Sequence, residues 1–232
     1  MKHIGIIGIT ALGSSLCYKK IVQKSFLRNS VFPVIHPEIT VNNISFSDYY
    51  NAGPTIDDGW RRVHDLILTS IYKVKLCGAK FVIIPANTVH HDFDYLNEKS
   101  QLKILNIIDL TVKKCINNNV KKILILGTHF TNDSDLYKKN LLKSGIECVY
   151  LEEELDKVLQ HHIRRLSSCQ DLDTESILKL VDKINLMDCD SILLGCTELT
   201  LIADMFVDKK IIIDSLDVIC DEALNYSLND KE

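Results

Sequence analysis

A chain of 232 residues with 46% hydrophobic and 25% charged side chains has the composition of a soluble globular protein, and its length lies between one domain and two. Its formal charge is -4, from 27 basic and 31 acidic residues, with no long block of either sign, so a nucleic-acid partner is not expected. No stretch approaches the roughly 18 apolar residues of a membrane span, and the apolar opening is too short and too glycine-interrupted for a signal peptide, so the expectation is a cytoplasmic protein with no membrane partner.

Residues 3–8 read as a buried opening strand, residues 8–15 as the loop that follows it, and residues 16–24 as a helix. The glycines at 5, 8 and 13 do not have the spacing of a dinucleotide-binding loop. Residues 32–40, with Pro33 and Pro37, suggest an edge strand, since proline cannot donate to a central ladder. Residues 42–53 read as loop and turn. A helix is predicted over residues 60–77, with Gly78 placed to terminate it, and a strand over 81–84. Residues 92–98 are polar, a loop or short helix; 107–117 is a helix closed by three asparagines. The strand at 122–126 exits into polar residues and a helix at 134–143 that stops at Gly145. A strand at 148–151, helices at 152–167 and 174–186, a strand at 191–194, a strand at 210–213 and a helix at 215–226 complete the chain. Strands alternating with helices in this way argue for parallel βαβ units, twice over. The fold class expected is therefore α/β, with two lobes, residues 1–110 plus 209–232 and residues 111–208, each a mainly parallel sheet flanked by helices.

Two stretches stand out as the halves of one site, residues 83–90 (Ile-Ile-Pro-Ala-Asn-Thr-Val-His) and 193–199 (Leu-Leu-Gly-Cys-Thr-Glu-Leu). Each follows a continuous apolar run and then turns abruptly to small polar residues, as at the strand ends where open α/β sheets keep their ligands. A cleft shared by the two lobes is expected there. Eight cysteines (17, 77, 115, 148, 169, 189, 196 and 220) contain no CxxC pair, so no zinc or other metal site is spelled out. Seven read as reduced, small core residues; Cys196 is set apart by its position at a strand-to-helix exit, where free N–H groups favour a thiolate. Asn87, Thr88, Thr128 and Thr131 are helix-capping residue types, and the N–H groups they would cap are also those that would bind a carboxylate. Glu198 fits a capping carboxylate or a site residue equally. His90 is the nearest titratable group in the first stretch, whereas His161-His162 read as surface.

These segments resemble the aspartate/glutamate racemase family of cofactor-independent amino-acid racemases, whose relatives include hydantoin racemase and arylmalonate decarboxylase. The resemblance runs nearly end to end: residues 2–8 are similar to the family's opening strand, residues 77–90 to its "AGA…PCNTAH" segment, residues 126–131 with Tyr137 to its "LGT..T…..Y" signature, and residues 195–199 to its "GCTEL". The resemblance implies two pseudo-symmetric α/β lobes, no pyridoxal phosphate or other cofactor, a homodimer, and an amino acid or dicarboxylate held between two cysteines that exchange its α-proton. Cys196 matches the second of these, and Ala86 stands where the first is expected. Thr10, Asn87, Thr88, Thr128, Thr131, Thr197 and Glu198 are the implied substrate-binding residues, with His90 as an alternative acid/base on the Ala86 side. No basic residue in 42–50 matches the family's carboxylate clamp. A methyl group cannot shuttle a proton. Three readings therefore stand side by side: a racemase for aspartate or glutamate using Cys196, a lyase or one-base isomerase of a small carboxylate, and an inactive ligand-binding member.

Overall fold

In a computed structural model, residues 1–28, 36–53, 59–206 and 210–229 are described. The chain forms two compact units, one of Met1–Asn106 with Ile219–Glu232 and the other of Ile107–Val218. The first contains β1 (Ile4–Gly8), α1 (Ala11–Arg28), β2 (Ile39–Asn43), α2 (Phe46–Ala52), α3 (Gly59–Leu76), β3 (Phe81–Ile83), a 3-10 helix (Thr88–Asp92), α4 (Phe93–Lys99) and β4 (Lys103–Leu105). The second contains α5 (Ile107–Asn117), β5 (Lys122–Leu126), α6 (His129–Asp133), α7 (Lys138–Lys143), β6 (Glu147–Val149), α8 (Glu153–Ser167), α9 (Thr174–Asn185), β7 (Ser191–Leu194), a second 3-10 helix (Thr197–Met205) and β8 (Ile211–Asp214). The last helix, α10 (Ser215–Leu228), starts in the second unit and ends in the first.

Each unit is built on a four-stranded sheet, with order β2-β1-β3-β4 in the first and β6-β5-β7-β8 in the second, and every pairing is parallel. The two orders are the same permutation, so the expected pseudo-symmetric α/β lobes are what the chain forms. Strands β1, β3 and β7 are buried at every residue, which is why they read as unbroken apolar runs rather than alternating ones. In the first unit Ile7 and Val82 of the sheet, with Ile84 just after β3, pack with Val63, Ile67, Ile71 and Val74, which repeat at helical spacing on the inner face of α3.

Four helices end by one device. Gly78 (φ 100) and Gly145 (φ 75) take the left-handed conformation anticipated for them, and Asn119 (φ 55) and Cys169 (φ 55) do the same without glycine. In each case the next N–H reaches the carbonyl five residues back: Ala79 to Val74 at 3.1 Å, Val120 to Cys115 at 3.2 Å, Ile146 to Leu141 at 3.0 Å and Gln170 to Arg165 at 2.9 Å.

Several local expectations change. The second strand lies at Ile39–Asn43, with residues 32–35 outside the described residues, and α2 occupies much of the stretch read as loop. Strand β4 has only three residues, too short for a periodic signal. The helix expected over 134–143 begins at Lys138, because Asp135 (φ 53) breaks the chain after the short α6. The strand at Ile211–Asp214 pairs with β7 inside the second unit, and the chain returns to the first only at Ile219. The cysteines are not uniformly core: Cys17, Cys115 and Cys220 are buried, but Cys148 and Cys189 are half-buried and Cys77 and Cys169, at helix ends, are exposed. His162 is fully buried rather than at the surface, with Nε2 3.1 Å from the Ser176 hydroxyl, because it follows the apolar stripe of Leu159, Ile163 and Leu166 along α8.

Candidate active site

In the first unit the carboxyl ends of β1 and β3 carry the sequence-predicted residues. Gly8 closes β1, and a Cβ there would collide with Asn43 Oδ1 and lie 2.7 Å from Ser14 Cβ and Oγ, so a side chain would fit only if these neighbours shifted. The Ser14 hydroxyl donates to Asn43 Oδ1 at 2.5 Å, tying the start of α1 to the end of β2. Thr10 precedes α1, and its Oγ1 accepts the Gly13 N–H at 3.2 Å, a capping bond. After β3 the chain turns sharply, with Ala86 N–H donating to the Ile84 carbonyl at 2.8 Å. Ala86 is half-buried; Asn87 is buried and makes no side-chain capping bond to the 3-10 helix it precedes; Thr88 is half-buried.

His90 is buried in the same turn. Its Nδ1 lies 2.9 Å from the Ala86 carbonyl, which can only accept, so Nδ1 carries the proton. The ring stacks on Phe93 at 5.9 Å between centroids. Burial pushes its pKa down to about 4, against the opposing pull of the Ala86 and Leu105 backbone. The imidazole is therefore neutral at neutral pH and cannot serve there as a charged proton donor.

In the second unit β5 and β7 are neighbours in register, Leu126 against Leu194, and the Gly195 N–H continues the pairing to the Leu126 carbonyl at 2.7 Å. The exits of both strands are thus side by side. A Cβ on Gly127 would meet Thr131 Cβ and Cγ2 at 2.8 Å. Thr128 caps α6, accepting the Thr131 N–H at 3.3 Å, and the two threonine hydroxyls are 3.1 Å apart. Tyr137, almost fully buried, packs beside Gly195, and the tight Thr200 to Asp214 hydrogen bond joins the second 3-10 helix to the end of β8.

Cys196 lies at the β7 exit, 7% exposed, and its Sγ is 3.1 Å from Glu198 Oε2, an oxygen that also accepts from Thr197 Oγ1 at 3.1 Å. Burial, then the charge and hydrogen bond of Glu198, push the thiol pKa well above its ordinary value; the backbone N–H groups of Glu198 and Leu199 pull it down. The resting group is a thiol, not the thiolate expected from a helix N-terminus. The reason is local. The chain leaves Cys196 as a 3-10 helix, and the nearest charge is a buried carboxylate. In this geometry the Glu198 carboxylate is the proton acceptor nearest the sulfur, at 3.1 Å.

Sequence reasoning passed over the residues that brace these exits. Gln160 of α8, 5% exposed, donates to the Gly127 carbonyl at 2.8 Å and to Asp156 Oδ1 at 3.1 Å, and accepts the His129 N–H at 3.3 Å. A glutamine beside Leu159 and three residues before Ile163, on the apolar side of an amphipathic helix, was the available signal. Ser14, Asn43 and Asp214 carried none, because only the strand order brings them to these ends. Among the described residues no group of three or more His, Cys, Asp or Glu side chains is placed to hold a metal ion, and no helix is long and apolar enough to cross a membrane.

Residues 4–223 match the family profile described as Asp/Glu/Hydantoin racemase. The broad specificity amino-acid racemase RacX of Bacillus subtilis (strain 168) is 25% identical over 150 residues, 64% of this chain; the match spans 65% of that relative's length, just under two thirds. Among solved structures, an aspartate racemase homologue from Pyrococcus horikoshii OT3 superposes with TM-score 0.79 at 27% identity, covering 98% of this chain and 99% of its own. Picrophilus torridus aspartate racemase, at 19% identity, gives TM-score 0.79 over 98% of this chain and 94% of its own, a likeness of fold.

Proposed function

The chain belongs to the Asp/Glu/hydantoin racemase family and is an isomerase of the amino-acid racemase type; on that premise we propose that it racemises aspartate or glutamate by α-proton exchange at Cys196, without pyridoxal phosphate or metal. The observation that carries the reading is the Cys196–Glu198 pair at the β7 exit, a buried thiol 3.1 Å from a carboxylate that can take its proton. With the proton on Glu198, the thiolate is held by the Glu198 and Leu199 N–H groups and removes the α-proton; with the proton on sulfur, the thiol returns it. An α-carboxylate takes hydrogen bonds from hydroxyl and N–H groups at the strand exits, where Thr10, Asn87, Thr88, Thr128, Thr131 and Thr197 are the residues proposed. Those bonds strengthen as charge moves onto the carboxylate in the transition state.

On the face assigned to Ala86 a methyl group stands where the family places its other cysteine. His90 is neutral, with Nδ1 committed to the Ala86 carbonyl, so solvent water beside Ala86 and Thr88 is the proton carrier proposed for that face. One-thiol exchange should then be strongly directional. The experiment is α-proton exchange in D2O with each enantiomer of aspartate and glutamate, followed by NMR and polarimetry. Exchange from one enantiomer, lost in Cys196→Ala, with optical inversion, is expected. Exchange that survives Cys196→Ala would overturn the assignment, and silence toward all four would overturn the acidic substrates. A cytoplasmic homodimer is proposed with this reading, and light scattering at two concentrations tests the dimer.

A further inference from the structure

The exit of β5 carries an exposed imidazole with an unusually complete set of supports. His129 is 61% exposed, yet its Nδ1 lies 3.1 Å from Asp156 Oδ2, and Asp156 is only 18% exposed. Asp156 can only accept while ionised, so Nδ1 carries a proton and the ring turns Nε2 away from that contact. The other Asp156 oxygen accepts from Gln160 Nε2 at 3.1 Å, and Gln160 also holds the His129 N–H and the Gly127 carbonyl. One face of α8 therefore fixes the ring, the backbone of its own residue and the residue two before it. An ordinary surface ion pair lacks a buried amide committed to its backbone.

The ring stands on the strand exit next to the one that carries Cys196. β5 and β7 are adjacent, a Cβ built on Gly195 would touch Thr131 Cγ2 at 3.4 Å, and α8 packs on the 3-10 helix that follows Cys196. Along residues 127–137, 150–152 and 195–206, the stretches leaving β5, β6 and β7, no lysine or arginine occurs, and His129 is the sole side chain able to carry positive charge. Acidic residues there are several, Asp133, Asp135, Glu152 and Glu198 among them.

We infer that His129, positioned by Asp156 and Gln160, binds the side-chain carboxylate of the substrate and so sets the preference for dicarboxylic amino acids. This rests on the proposed racemase reading of the Cys196 site. Protonated, the ring donates through Nδ1 to Asp156 and offers Nε2–H to the incoming carboxylate, a charge-assisted hydrogen bond. Asp156 and Gln160 act through the ring and are positioning residues.

The test compares α-proton exchange of aspartate and glutamate with that of asparagine and glutamine, which have the same size and no side-chain charge. In the native chain the dicarboxylates should be favoured. His129→Ala should cut the dicarboxylate-to-amide ratio of kcat/KM at least tenfold, chiefly through KM, and Asp156→Asn should cut it less. A ratio that is unchanged or raised in His129→Ala overturns the inference while leaving the racemase reading intact. If no amino acid exchanges in the native chain, that reading fails, and the imidazole Cε1–Hε1 signal of His129 decides this one separately. A shift on adding aspartate, at least several times larger than with asparagine and absent in His129→Ala, supports the carboxylate contact; no such shift refutes it.

Discussion

Replacing Gln160 by leucine keeps the volume of a side chain that is 5% exposed and removes its amide. Three hydrogen bonds disappear, at 2.8, 3.1 and 3.3 Å, and the Gly127 carbonyl and His129 N–H lose their α8 partner. At about 1 kcal/mol net per neutral bond, with more for any group left buried and unpaired, the loss is about 3 kcal/mol. For a chain of this size each kcal/mol moves the melting temperature by about 2–4 °C, so a fall of about 6–12 °C is expected. Gln160→Glu should be worse at neutral pH, since an oxygen would face both the Gly127 carbonyl and Asp156. Thermal unfolding by circular dichroism gives the magnitude, and hydrogen exchange mass spectrometry gives the place. Faster exchange over residues 122–131, with β1 unchanged, is the expected pattern. A melting temperature within about 2 °C of the parent and no change in exchange at 127–131 would show that solvent replaces the amide without cost, and that the bracket is not structural.

Glu198→Gln removes the charge that, after burial, does most to raise the Cys196 thiol pKa, so alkylation of Cys196 by iodoacetamide should begin at lower pH; an unmoved profile would dissociate the two groups. His90 binds a proton more weakly folded (about 4) than in its ordinary state at 6.5, so the unfolded chain holds more protons between these values and stability falls on acidification. From pH 6.5 to 5 the cost is about 1.5 kcal/mol, read from the urea midpoint of Trp60 fluorescence in the first unit, and His90→Gln should flatten that slope. Gly127→Ala places a methyl 2.8 Å from Thr131 Cβ and Cγ2 and should cost about 1–3 kcal/mol by overpacking, lowering exchange activity with it; a neutral melting curve would mean the β5 exit relaxes freely. Ala86→Cys should speed optical inversion if the Ala86 face is the limiting one, and inversion no faster than in the parent would place the limiting step elsewhere.

Much of this protein is legible along the chain. Buried parallel strands are apolar along nearly their whole length, so β1, β3, β5 and β7 announce themselves, and Ser191–Leu194 coincides with its expected range. Gly78 and Gly145 mark helix ends because a left-handed residue is needed there, whereas Cys169 in the same conformation gives no warning. Cys196, Thr128 and Thr131 were visible because small polar residues directly follow apolar strands. What the chain order cannot express is adjacency. That β5 lies beside β7 follows from sheet pairing between residues about seventy apart, and only that pairing puts Gly195 against Leu126 and Thr131. The protonation state of Cys196 was likewise decided by tertiary structure: two residues on, Glu198 could have faced solvent, and it is the fold of the 3-10 turn that buries its carboxylate against the sulfur. The same holds for His129, whose sequence neighbours give it no role, and whose support comes from Asp156 and Gln160 on a helix some thirty residues away. Burial reads from composition and period because it is a property of each residue; charge environment does not, because it is a property of pairs brought together by folding.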